Sequence, residues 1–133
     1  MTLEDADFML ALKNDPITRQ FAIVSHEEIK REDHIRFLKV HLPEFKVIEK
    51  YDFTKVGVIR VSLEHEVSIW LAPEFREYGI ASRVLRNEIG RPLIYPGVHW
   101  CKIVNGNIAS FRAFIKAGFK PSEYKDNYYI LTR

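Results

Sequence analysis

Cysteine is almost missing from the chain. Cys101 stands alone among 133 residues, so no internal disulfide can form and no zinc site of the paired-cysteine kind can be built. Surplus charge is also scarce. Twenty Lys and Arg face 18 Asp and Glu, for a formal net charge of +2, and no basic run could track a phosphate backbone. No apolar stretch approaches the roughly 20 residues needed to cross a bilayer. The acidic start Met1-Thr2-Leu3-Glu4-Asp5 lacks a signal-peptide pattern. Repeats, low-complexity segments and linkers are absent as well. These absences predict one cytoplasmic domain over residues 1–133, with no metal site, no membrane span and no nucleic-acid partner.

What is present is an ordinary globular balance, 47% apolar and 29% charged, enough for a single core. Leu3, Ala6 and Met9 or Leu10 have helical spacing, and Asn14-Asp15-Pro16 reads as a stop. Ser25 and Glu28 have capping-box spacing and predict a second helix from Ser25, with Ile35, Leu38 and Leu42 on one face and Pro43 at its end. The period then changes. Lys46–Tyr51, Val56–Leu63 and Glu66–Leu71 read as strands, and their short links predict an antiparallel meander. A helix from Gly79 turns Ile80, Val84, Leu85 and Ile89 inward, and Gly90 and Pro92 end it. Val98–Ile103 is a further strand. Asn107 caps a helix whose buried face is Ile108, Phe111, Phe114 and Ile115, and Asn127–Leu131 closes the chain as a strand. The order predicts an α+β fold: a mixed, mostly antiparallel sheet covered by helices.

The chemistry is concentrated between Leu71 and Ser82, where a strand ends, a short loop follows and a helix opens at a glycine. Helix starts present unpaired N–H groups and the positive end of a dipole, so such a loop can wrap a diphosphate. Gly79 permits close approach of the backbone, Ala81 keeps the first turn open, and Arg76 can add a charge. There is no Gly-Lys-Ser/Thr and no three-glycine fingerprint, which excludes a nucleoside-triphosphatase loop and a dinucleotide fold. By itself Arg-x-x-Gly-x-Ala is weak, because a glycine at a helix start is common.

A second motif follows about one strand later: Asn107-Ile108-Ala109-Ser110, closing on Gly118-Phe119. With both motifs in order the chain resembles the GNAT acetyltransferase superfamily, from about Lys46 to the C-terminus. Its donor loop reads Arg/Gln-x-x-Gly-x-Gly/Ala, and its later helix begins Asn-x-x-Ser. The resemblance implies acetyl-CoA as cosubstrate, held at its pyrophosphate by the amides of Arg76, Glu77, Tyr78, Gly79, Ile80, Ala81 and Ser82. It places the backbone of Leu71 and Ala72 beside the thioester, where an amide would serve as an oxyanion hole. It also places Asn107 against the pantetheine arm, a role compatible with capping a helix. Phe114 falls where many relatives carry a tyrosine that protonates the leaving thiolate, and it has no proton to give. Tyr124 or Tyr128 would have to substitute, or water. The family's first strand is not evident, and the helix after Gly79 looks short, so a trimmed fold is expected.

The implied activity is transfer of an acetyl group to a primary amine of a small molecule, with a homodimer as the one assembly considered. Glu66 is the first candidate for the base, with Glu64 and His65 as fallbacks; as an exposed strand charge Glu66 would do nothing. His99 and Cys101 share a face of the next strand and read more simply as packing. Lys13-Asn14-Asp15-Pro16-Ile17-Thr18-Arg19 resembles a stretch of relatives that acetylate ribosomal-protein N-termini or amino sugars on nucleotide carriers. The second motif leans to the sugar type, and Trp70 could stack on a sugar or a base or simply pack. A peptide amine as acceptor, or acyl-CoA binding without turnover, are the alternative functions.

Overall fold

The computed structural model of the chain describes residues 1–22, 27–90 and 97–133. Its contacts divide these into two compact units, Met1–Arg60 with Ile69–Ala72, and Val61–Ser68 with Pro73–Arg133. Two three-stranded sheets are present, in the order β1-β2-β3 and β4-β6-β5.

In the first unit a 3₁₀ turn, Leu3–Asp5, is closed by a reciprocal cap between Thr2 and Asp5. It leads into α1 (Ala6–Asn14), which buries Ala6, Met9 and Leu12 at the spacing of one helical face. Helix α1 stops at Asn14, where the Asn14-Asp15-Pro16 signal put its end, and the same residues then start a further short helix that was not expected, α2 (Pro16–Gln20). The Asp15 carboxylate accepts from the Thr18 amide, and proline stands where no N–H is needed. Helix α3 (Arg31–His41) buries His34 and Leu38. Its start corrects the capping-box reading: Lys30 is the cap residue, and Glu28 precedes the helix, while Ser25 lies outside the described residues. Asn14 holds the approach to α3 from two sides, donating to the Ile29 carbonyl at 3.0 Å and accepting from the Ile29 amide at 2.8 Å.

Strands β1 (Phe45–Glu49), β2 (Lys55–Val61) and β3 (Val67–Leu71) form the expected meander. Phe45 faces Arg60 across the β1–β2 ladder, and Phe45, Val56, Val58 and Ile59 supply the strand side of the core. Gly57 is required by proximity. A Cβ there would fall on the Trp70 carbonyl oxygen and lie 2.9 Å from Leu71 Cδ2.

In the second unit a 3₁₀ turn, Pro73–Phe75, precedes α4 (Ile80–Ile89); then follow β4 (Trp100–Val104), α5 (Ile108–Lys116), β5 (Lys120–Lys125) and β6 (Tyr128–Thr132). Strand β6 pairs antiparallel with both β4 and β5. Leu85, Ile89, Cys101, Ile103, Phe114, Phe119 and Leu131 form this unit's core. Two expectations fail here. Ile108 and Ile115 are 61% and 39% exposed, so the buried face of α5 is narrower than its apolar spacing implied. Strand β5 was not expected, because Lys-Pro-Ser-Glu-Tyr-Lys is exposed throughout and carries no alternation. It forms because Asp126 and Asn127 both take left-handed conformations (φ 50° and 70°), as a two-residue hairpin turn demands. Among the described residues no helix is long and apolar enough to cross a membrane.

Candidate active site

The loop between β3 and α4 turns into the helix through two residues of positive φ. Glu77 (φ 70°) and Gly79 (φ 73°) are both left-handed, and Gly79 is the residue from which α4 starts. A side chain at Gly79 would meet nothing within 4 Å, so open space adjoins the helix start. The first intrahelical bond is Arg83 N–H to the Gly79 carbonyl at 3.4 Å. Among the described residues the amides of Gly79, Ile80, Ala81 and Ser82 have no acceptor. Four unspent donors at the positive end of a ten-residue helix, beside open space, suit a diphosphate. The Ser82 hydroxyl is spent inside the turn, donating to the Gly79 carbonyl at 3.1 Å, so only its amide remains for a ligand. Tyr78 is exposed, and Arg76 is half-buried with its amide on the Pro73 carbonyl.

The oxyanion expectation needs correction at Ala72. That residue is buried, and its N–H donates to the Val56 carbonyl at 2.8 Å, which continues the β2–β3 ladder. An amide committed to a ladder cannot also stabilise a thioester oxygen. In the same register Leu71 faces Gly57, so the Leu71 amide does not point at β2.

Glu66 stands where a tight turn returns into β3. Its carbonyl accepts from Ser62 N–H at 3.0 Å and its amide donates to Ser62 Oγ at 3.1 Å; His65, at φ 70°, makes the corner. An isolated parallel bridge joins Glu66 to Trp100, and the Trp100 indole donates to the Glu64 carbonyl at 2.8 Å. Among the described residues β4 pairs beyond that bridge with β6. The Glu66 side chain is half-buried and has no hydrogen-bond partner among the described residues. Burial pushes the Cys101 thiol up to about 12, and the nearby Glu66 carboxylate adds to the rise, so Cys101 is an inert core residue. His65 and His99 are both buried with ring centroids 6.4 Å apart. Burial lowers the His99 pKa, and repulsion from His65 and Arg133 lowers it further against the opposing pull of Glu88.

Asn107 accepts from the Ser110 amide at 3.5 Å as the cap of α5. It lines a cavity of about 340 Å³ with Val104, Ile108, Phe111, Arg112 and Tyr129. Phe114 is 3% exposed and packs edge-on against Phe119, so it serves the core first. Tyr124 lies on exposed β5, its ring tilted against that of Tyr129 with centroids 4.6 Å apart, and its hydroxyl is 3.5 Å from Asn127 Oδ1. Trp70 packs against Phe45, with ring centroids 6.4 Å apart.

A second constellation was not legible beforehand. Lys13 Nζ lies over three rings, 4.8 Å from the centroid of Phe37, 5.8 Å from Phe45 and 5.6 Å from Trp70. Arg60 lies over Phe37 and Phe45 and donates twice to Glu44 Oε1, at 3.1 and 2.8 Å. Six elements contribute these residues, so no local pattern could have signalled them.

No family model matches the sequence, and no curated protein matches it. Solved structures do. The chain has the fold of the GNAT acetyltransferases. An acetyltransferase (GNAT family) from Bacillus anthracis aligns at TM-score 0.80 and 16% identity, over 100% of this chain and 90% of that one. Ribosomal-protein-alanine N-acetyltransferase from Brucella melitensis aligns at 0.79 and 21%, over 100% and 96%. Spermidine N-acetyltransferase from Vibrio cholerae, in complex with CoA and spermine, aligns at 0.78 and 12%, over 99% and 89%.

Proposed function

We propose that the protein is an N-acetyltransferase that moves acetyl from acetyl-CoA to a primary amine of a small molecule, with residues 1–133 working as one domain. The row of unspent amides at Gly79, Ile80, Ala81 and Ser82, behind two left-handed residues, carries the reading. The shared fold supports it, since solved acetyltransferases align over nearly the whole chain.

In this reading the α4 start grips the pyrophosphate, Arg76 adds charge, and Asn107 holds the pantetheine arm with the amide nitrogen its cap leaves over. The acceptor nitrogen attacks the thioester carbon. A C–N bond forms, the C–S bond breaks, coenzyme A departs as a thiolate, and the nitrogen's surplus proton goes to Glu66 directly or through water. Tyr124 or water reprotonates the thiolate. A nucleotide-linked amino sugar is the acceptor the sequence motifs favour. The cytoplasm is the proposed compartment, and the unpaired thiol of Cys101 accords with it.

Titration calorimetry with acetyl-CoA tests the donor site. Wild-type protein should bind, and Gly79→Glu should weaken binding by at least about tenfold, because it adds a repelling carboxylate and a side chain at positive φ. Undiminished affinity in a folded variant would remove the loop from the donor site. For the base, Glu66→Gln should lower turnover more at low pH than at high pH, where the amine arrives already neutral; an equal response throughout excludes Glu66.

A second reading, acyl-CoA binding without turnover, is favoured by two observations. The Ala72 amide is spent on Val56, and the Phe114 position offers no acid. It predicts acetyl-CoA binding with no thiol released for any amine.

A further inference from the structure

We propose that Lys13 is the point at which the acceptor is recognised, through an anionic group, carboxylate or phosphate, that the acceptor carries. The inference rests on the acetyltransferase reading and deepens it by naming the class of acceptor.

An ammonium has three N–H donors and no acceptor function. Among the described residues the Lys13 ammonium makes no hydrogen bond and has no carboxylate, only the faces of Phe37, Phe45 and Trp70. Its neighbour Arg60 shares two of those rings but is already neutralised by Glu44. Glu44 is fully used: Oε1 takes both Arg60 bonds, and Oε2 takes His41 Nδ1. One carboxylate therefore serves Arg60 and His41, and the second fixed cation in the box has none. Burial and repulsion from Arg60 bring the Lys13 pKa down to about 8, as expected of a cation short of a counter-charge.

Packing alone does not account for this choice of residue. A methionine or leucine would cover the same rings without desolvating a charge. A ligand anion would satisfy all three donors and offset the repulsion from Arg60. Trp70 of the box also directly precedes Leu71 on β3, the residue whose backbone the family resemblance sets beside the thioester. A polycationic acceptor would meet two fixed cations there, so the preference should oppose that of an enzyme for spermidine.

The test uses full-length protein saturated with coenzyme A, so that added anions cannot lodge at the α4 start. The Lys13 side-chain resonance, assigned by its loss in Lys13→Gln, is titrated with pH in the presence of inorganic phosphate or acetate. A rise in its apparent pKa with either anion is expected; no movement with both overturns the proposal. Transfer is then compared for β-alanine, O-phosphoethanolamine, ethanolamine and spermidine. Lys13→Gln should raise KM for whichever anionic amine is used by about tenfold or more, leaving kcat and the ethanolamine reaction unchanged, and Lys13→Arg should restore most of the loss. Equal KM changes for charged and neutral amines overturn it. The β-alanine and O-phosphoethanolamine arms separate a carboxylate from a phosphate. Absent coenzyme A binding would defeat the acetyltransferase reading while the Lys13 titration still reports on the anion.

Discussion

Lys13 should be a net cost to folding at neutral pH. Its pKa falls from 10.5 to about 8 on folding, chiefly through burial and then through Arg60. The depression means that the fold disfavours the ammonium. Below about pH 8 both folded and unfolded chains carry the proton, and the full cost applies. Between about 8 and 10.5 the unfolded chain holds a proton the folded one has lost, so stability rises with pH; above that window the cost is gone. At about 1.4 kcal/mol per unit the shift amounts to about 3 kcal/mol, and partial access to solvent reduces it to about 2–3 kcal/mol. Lys13→Met keeps the length of the side chain and places a thioether on the same rings. Urea unfolding of both proteins, at about pH 7 and about pH 10.5, isolates the effect, because other titrating groups cancel in the difference. The advantage of the methionine protein should shrink by about 2–3 kcal/mol from the lower pH to the higher. A difference independent of pH would refute the account and show that Lys13 is as comfortable folded as unfolded.

Two further outcomes follow from packing. Gly57→Ala should destabilise the fold by more than the ~1–3 kcal/mol of ordinary overpacking, because the new methyl meets the Trp70 carbonyl rather than a side chain that can swing away; thermal unfolding measures it, and a loss under about 1 kcal/mol would mean that β2 and β3 part easily. Cys101 should resist a thiol reagent at about pH 8 in folded protein and react at once in denaturant, since its thiol is buried and raised to about 12; prompt labelling of the native state would place it at the surface.

The parts legible in advance were those written in local chemistry. Arg76-x-x-Gly79-x-Ala81 located the turn into α4, because a left-handed residue and a helix start both leave marks on nearby sequence. Asn107 marked the start of α5 in the same way. The parts not legible depend on partners distant in sequence. The hydrogen bond from Ala72 to Val56 follows from register, which the residues around Ala72 do not specify. Strand β5 owes its existence to a turn and a neighbour rather than to its own polar residues. The short α2 was hidden because Asp15-Pro16 suits a helix start as well as a chain break. Lys13 stood out only as the first residue of a stretch resembling one in relatives, and its setting comes from Phe37, Phe45 and Trp70, brought around it by three other elements.

One contact at the far end of α4 bears on its near end. The Arg86 guanidinium donates twice to the Lys116 carbonyl, at 2.9 and 2.7 Å, and so ties the last turns of α4 to the last residue of α5. A ten-residue helix is about 15 Å long, so a tilt of about 4° would swing its opposite tip by about 1 Å. That distance separates a well-aimed hydrogen bond from a poor one. An exposed arginine at the back thus works as a tiller, and the accuracy with which a cosubstrate is presented would be tuned from a surface patch that never touches it.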